Sequence, residues 1–182
     1  MTIRLNCASL ALVAFALSLC LSPASAQQPS TEEAKAPASF LDASDPESIA
    51  DLMRTEGFKA ELVTRKNGAV EIASESGGAQ FWLYFQACEA DFTGCEVITF
   101  SSGFDFETAQ LPDVIGDWNM ARYSKAYLDA DGDPFVEFNV NMKHGVSPEN
   151  FVDTLHWFTT EMDSFMDHIG WDSTLAEPGQ PI

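Results

Sequence analysis

The segment from Val146 to Gly170 limits what this chain can fold into more than any other. Ser147-Pro148-Glu149 has the form of a helix start, with a hydroxyl to cap free N–H groups and proline at the first helical position. Val146 and Phe151 have the spacing of a hydrophobic staple. Phe151, Leu155, Phe158, Met162, Phe165 and Ile169 then recur at alternating steps of four and three. That spacing gives one apolar face along about five turns of helix. Gly170 supplies the left-handed residue that ends it. Such a face must lie on a sheet or pair with another helix, so a sheet is sought upstream.

Strand patterns are there. Phe58 to Thr64 and Ala69 to Ala73 flank Asn67-Gly68, a strong hairpin signal. A turn at Glu75 to Gly78 leads into Phe81-Trp82-Leu83-Tyr84-Phe85, apolar at every position. Phe81, Leu83 and Phe85 point one way, Trp82 and Tyr84 the other. An unbroken apolar run predicts cover on both faces, by helices or by a partner subunit. Glu96 to Ser101 is a further strand, and Phe104 and Phe106 follow in a loop, where they either cap the core or form a partner patch. Leu111-Pro112 opens a helix to about Ser124. Trp118 and Arg122 lie four apart on it, in reach of each other. Lys125 to Leu128, the turn Asp129 to Asp133, and a strand with Val136, Phe138 and Val140 on one face complete the pattern. Asp45-Pro46-Glu47 starts an earlier helix with Ile49, Leu52 and Met53 as its buried stripe, and Gly57 ends it. The prediction is an α+β domain: one antiparallel sheet of five or six strands with three helices.

At 182 residues the chain has the length of one domain, and 46% hydrophobic content is enough for a real core. Residues 1–26 are different in kind. Arg4 is their only charge, Leu10 to Leu21 is an apolar run of signal-peptide length, and Ala24-Ser25-Ala26 has the form of a cleavage site. Leu19 before Cys20 argues against a lipoprotein signal. Residues 1–26 therefore read as a cleaved signal peptide, 27–44 as a flexible linker, 45–170 as the domain and 171–182 as a loose tail. The expected location is periplasmic or secreted, with no membrane attachment after cleavage.

Removing residues 1–26 takes away one of 9 Lys/Arg and none of 28 Asp/Glu, so the mature net charge is 8 minus 28, or −20. That balance argues against nucleic acid and anionic membranes as partners. Cys88 and Cys95 remain, and an even pair in an exported chain reads as a disulfide, here stapling a loop between strands and contributing about 2–3 kcal/mol. The spacing is not C-x-x-C, and Glu89, Asp91 and Glu96 around it disfavour a reactive thiolate.

No catalytic constellation stands out. In the acidic turn, glycine falls at the fourth position and Val140 at the twelfth, so an EF-hand's ligand spacing is missing. His144, His156 and His168 lack the spacing of a zinc site. There is no G-x-S-x-G, Walker loop or G-x-G-x-x-G. The expectation is a non-enzyme with no catalytic residue, metal or cofactor.

The order of helix, strands, Trp118-Asn119 helix, Arg122, the Lys125 to Asp129 strand, the acidic glycine turn, Phe135 to Val140 and Gly145-Val146-Ser147 before a long helix resembles the YbjN-domain family. Its members are described as bacterial sensory transduction regulators. The resemblance implies a fold like that of type III secretion chaperones, with helices against one antiparallel sheet, and brings no catalytic residues. Export and a disulfide depart from the intracellular regulation that the description implies. The resulting expectation is an exported, homodimeric regulatory module that engages a protein or peptide through Trp82, Tyr84, Phe104, Phe106 and Trp118. The alternative is an envelope-stress sensor with a small ligand or cation between sheet and helices.

Overall fold

The computed structural model describes residues 40–105 and 111–172. The residues read from sequence as a signal peptide (1–26), most of those read as a linker, Phe106 and the residues beyond Asp172 lie outside the described residues. In chain order the elements are α1 (Pro46–Thr55), β1 (Glu61–Thr64), β2 (Val70–Ser76), β3 (Ala79–Gln86), β4 (Val97–Gly103), α2 (Leu111–Ala121), β5 (Lys125–Leu128), β6 (Pro134–Asn141) and α3 (Pro148–Ile169). They form an α+β fold. Local chemistry sets the boundaries. The Asp45 side chain accepts from the Ser48 N–H at the start of α1. The Ser147 side chain accepts from the Asn150 N–H at the start of α3, and Gly170 closes that helix in the left-handed conformation.

The strands make one antiparallel sheet in the order β1-β2-β3-β4-β6-β5. Register fixes two faces. Ile72 pairs with Leu83, Leu83 with Phe100 and Phe100 with Phe138, so these four point the same way. That face carries the helices. Phe81, Leu83, Ile98, Phe100 and Val136 are buried there with Ile49 and Met53 of α1 and with Phe151, Leu155, Phe158, Met162 and Phe165 of α3. Phe158 lies 5.5 Å from Phe81 and 5.3 Å from Phe100, centroid to centroid. The stripe on α3 is thus a sheet-packing face.

The other face carries no helix among the described residues; of the two covers expected for β3, helices or a partner subunit, this corrects the helices. Trp82 and Tyr84 are half-buried by side chains of their own face, and an apolar run of five hides that difference.

Around Trp118, polar groups tie α2 to the rest. Its indole N–H donates to Ser124 Oγ (3.1 Å), and the Ser124 hydroxyl donates to Glu161 of α3 (2.7 Å). Arg122 pairs with the other Glu161 oxygen at 3.3 Å and lies over the Trp118 ring at 4.9 Å. The Asn119 side chain both accepts from the Ala126 N–H (2.8 Å) and donates to the Ala126 C=O (2.9 Å). It occupies the outward-facing backbone of edge strand β5 as a neighbouring strand would. The chain is already packed upstream of Asp45: Leu41 and Val146 exchange backbone bonds of 2.9 and 2.8 Å, and Ala43 is buried.

Candidate binding surface

The five aromatics singled out from sequence do not form one surface. Phe104 and Trp118 are core residues, each only 1% exposed. Phe104 packs on Phe165 and Trp171, while Trp118 packs on Phe165 and His168. Neither is available to a partner in this state, which corrects that expectation. Trp118 lies on the buried stripe of its helix with Leu111 and Ile115, and Phe104 continues the line of β4 onto the helix-covered side.

Trp82 and Tyr84 are together on the helix-free face. Their rings lie nearly parallel, 14° apart with centroids at 6.4 Å. Arg65 stands 5.6 Å from the Trp82 ring, held by a 2.6 Å bond from its Nε to Glu71. Across the sheet Trp82 pairs with Ser101, Ser101 with Glu137 and Glu137 with Lys125. The residues of β4 on this face are small. Thr99 and Ser101 are buried although no helix among the described residues covers them, and the Thr99 hydroxyl donates to the Asn139 side chain at 2.6 Å. Phe135 lies across Gly103, its cross-strand partner: a Cβ on Gly103 would come within 2.4 Å of the ring.

Two further aromatics belong to this face and escaped the sequence reading. Tyr127 stacks on Phe135 at 5.4 Å and 13°. Its hydroxyl donates to Glu137 (2.8 Å), which also pairs with Lys125 at 3.5 Å. The available signal was register: once Phe138 is assigned to the helix side, Phe135 must point the other way. Burial raises the Tyr84 phenol above its ordinary value, with the Glu71 and Glu137 charges adding to it. Tyr127 is pushed up strongly, first by burial and then by the hydrogen bond and charge of Glu137. Both stay neutral, and the face presents aromatic planes beside paired charges.

A second aromatic cluster lies on the helix side. Trp157 of α3 packs on Phe138 at 5.3 Å and on Tyr123 at 5.7 Å, and Tyr123 is 82% exposed. Trp157 is out of phase with the buried stripe of α3, which was its sequence signal.

The expected staple is formed, with Cys88 and Cys95 joined in the loop between β3 and β4. A shallow cavity of about 210 Å³ lies beside it, lined by Pro46, Val70, Phe85 and Phe92 among others. In the acidic turn, Asp129 Oδ1 accepts from the N–H groups of Asp131 (2.9 Å) and Asp133 (3.0 Å), so that carboxylate holds the hairpin. Among the described residues no group of three His, Cys, Asp or Glu side chains is arranged to hold a metal ion.

An open antiparallel sheet with three helices on one face and an aromatic, charge-paired surface on the other defines an α+β module. The chain belongs to the YbjN family: the family model, described as "Putative bacterial sensory transduction regulator", matches residues 45–171. The crystal structure of E. coli YbjN, described as a putative transcription regulator, is similar in fold, with a TM-score of 0.50 at 14% identity, covering 70% of this chain and 91% of that chain. No curated protein matches the chain.

Proposed function

We propose that this YbjN-family protein is an exported, non-enzymatic regulatory module that engages a protein or peptide through the helix-free face of its sheet. The observation that carries this reading is the pair of stacked half-exposed rings, Trp82 and Tyr84, on a sheet face with no helix over it. Aromatic planes with an adjacent guanidinium are the groups that anchor protein interfaces. The aromatic surface is accordingly redrawn: Trp82 and Tyr84 stay, Tyr127 and Phe135 join them, and Phe104 and Trp118 leave. Export is supported by the signal-like residues 1–26 and by the Cys88–Cys95 bridge, which suits an oxidising compartment. The net charge of −19 counts against direct nucleic-acid binding, whatever the relatives do.

The test is a paired capture experiment on periplasmic extract with wild type and the Trp82→Ala/Tyr84→Ala variant, together with their melting curves. The expected result is a specific partner held by wild type and lost by a variant that still melts cooperatively. Capture unchanged in the variant would sink the proposal, and so would a variant that no longer folds, because the rings would then be structural. Cell fractionation checks the location: protein confined to the cytoplasm would refute export.

A further inference from the structure

We infer that two copies of this chain associate about a two-fold axis by antiparallel pairing of β1 with β1, in the register that sets Val63 against the partner's Val63. The argument starts from hydrogen-bond parity. The Arg65 N–H donates to the Ala69 C=O at 2.8 Å, so Arg65 sits in a bonded pair of the β1–β2 hairpin. Bonded pairs in an antiparallel ladder recur every second residue. Val63 and Glu61 therefore turn their backbone groups toward β2, and Leu62 and Thr64 turn theirs outward. Among the described residues nothing takes those outward groups. The next outward carbonyl, that of Ala60, is already bonded by Arg54 Nε at 3.0 Å. The free length of this sheet edge is thus the backbone of Leu62 and Thr64.

One register fits that length. With Val63 on the axis, Leu62 meets the partner's Thr64 and Thr64 meets the partner's Leu62, and all the free groups are used. The same register sets Glu61 across from the partner's Arg65 at one end and Arg65 across from the partner's Glu61 at the other. All of these side chains lie on the helix-free face, since Glu61 pairs with Ala73 and Val63 with Glu71. Arg65 commits its Nε to Glu71, which leaves its terminal nitrogens for the partner. The alternatives fail on the same residues. A shift that sets Leu62 against itself needs the Ala60 carbonyl that Arg54 holds. A shift that sets Thr64 against itself places Val63 opposite a guanidinium. Parallel pairing sets Glu61 beside Glu61 and Arg65 beside Arg65. Opposite charges directly across a ladder stabilise it and like charges oppose it.

The charge distribution does not oppose a second copy at this edge. A chain of net charge −19 repels itself over most of its surface. Residues 54–66 hold Arg54, Lys59, Arg65 and Lys66, four of the nine Lys/Arg in the sequence, against Glu56 and Glu61. Arg54 is paired with Glu47 and Asp51, Lys59 with Glu75 and Arg65 with Glu71, so the edge offsets the acids around it and two copies meet less repulsion there than the net charge alone would give.

Sedimentation velocity on the purified protein should show a concentration-dependent dimer. Glu61→Arg sets arginine against the partner's Arg65 at both crossings, and Arg65→Glu sets acid against acid. Each variant alone should dissociate at least about tenfold more readily. Mixed in equal amounts, they should associate again, because every crossing in the mixed pair joins opposite charges. Val63→Cys should form an intersubunit disulfide on mild oxidation, since residues facing each other in a non-bonded pair lie within disulfide reach. A wild type that stays monomeric, a dimer unchanged in Glu61→Arg, or a mixture that fails to associate overturns the inference. If Arg65→Glu loses its fold by circular dichroism, Glu61→Arg and Val63→Cys decide it: persistence of the dimer, or no cross-link, refutes the register.

Discussion

Glu161 is a carboxylate in the interior of a strongly acidic protein, and its removal gives a quantitative test of how α3 is tied to α2. Its side chain is 6% exposed, accepts from the Ser124 hydroxyl at 2.7 Å and pairs with Arg122 at 3.3 Å. The arginine is 41% exposed, so water serves it when the partner is gone, and that ion pair contributes only a few tenths of a kcal/mol. The buried Ser124 hydroxyl has no such recourse. Losing a hydrogen bond to a charged acceptor costs about 1.5–3 kcal/mol. Glu161→Ala should therefore destabilise by about 2–3 kcal/mol, or about 6–10 °C in melting temperature for a domain of this size. Glu161→Gln keeps an acceptor for Ser124 and should cost about half as much. Ser124→Ala removes a partner from both Trp118 and Glu161, so the two alanine variants should combine to less than their sum, with a coupling of about 1–2 kcal/mol. Urea denaturation of wild type, the three single variants and the double alanine variant measures all of this. An alanine variant within about 0.5 kcal/mol of wild type would refute the reasoning. So would a stabilised Glu161→Leu, because desolvation of the carboxylate would then outweigh its bonds.

Other consequences can be checked in the same preparations. Gly103→Ala forces a methyl to within 2.4 Å of the Phe135 ring and should cost about 1–3 kcal/mol by urea denaturation, with a changed near-ultraviolet spectrum from the displaced Tyr127 stack. Burial holds Tyr84 and Tyr127 protonated in the fold, so their folded pKa values exceed the unfolded value of about 10. Their contribution is intact below that pH and is lost as pH rises above it. Phenolate absorbance for these two should appear only with alkaline unfolding, and Tyr84→Phe/Tyr127→Phe should flatten the stability loss above pH 10. Reduction of the Cys88–Cys95 bridge should lower stability by about 2–3 kcal/mol and raise hydrogen exchange across residues 87–96, where Ala87 and Phe92 hold positive φ.

The local architecture was legible because it rests on short-range chemistry. Caps at Asp45 and Ser147, the Asn67-Gly68 turn and the stripe of α3 are each decided within a few residues. Sidedness was less legible. In Phe81 to Phe85, period two separates the two faces but does not say which one the helices cover; only pairing with β4 and β6 does. For Phe104 the sequence left core cap and partner contact both open, and its burial decides for the cap; Trp118 was misjudged because surface and core positions on a helix of eleven residues differ by one step. Tyr127 and Phe135 were missed for a related reason: they meet only across a strand pair, eight positions apart, and lie more than forty positions from Trp82 and Tyr84. The Asn119 contact to Ala126 leaves no periodic trace at all.

That contact has a consequence for assembly. A sheet with two free edges can grow at both and polymerise, which is the hazard of exposed edge strands. Here the Asn119 amide fills the central outward position of β5, and a new strand arriving there would have to displace two hydrogen bonds. Among the described residues only the β1 end remains able to accept a strand, which gives the sheet a valence of one. Two copies joined at that end present Asn119-capped edges at both extremities, and growth stops at the pair. Asn119→Ala would raise the valence to two, turning a self-limiting pair into a unit that can extend into filaments.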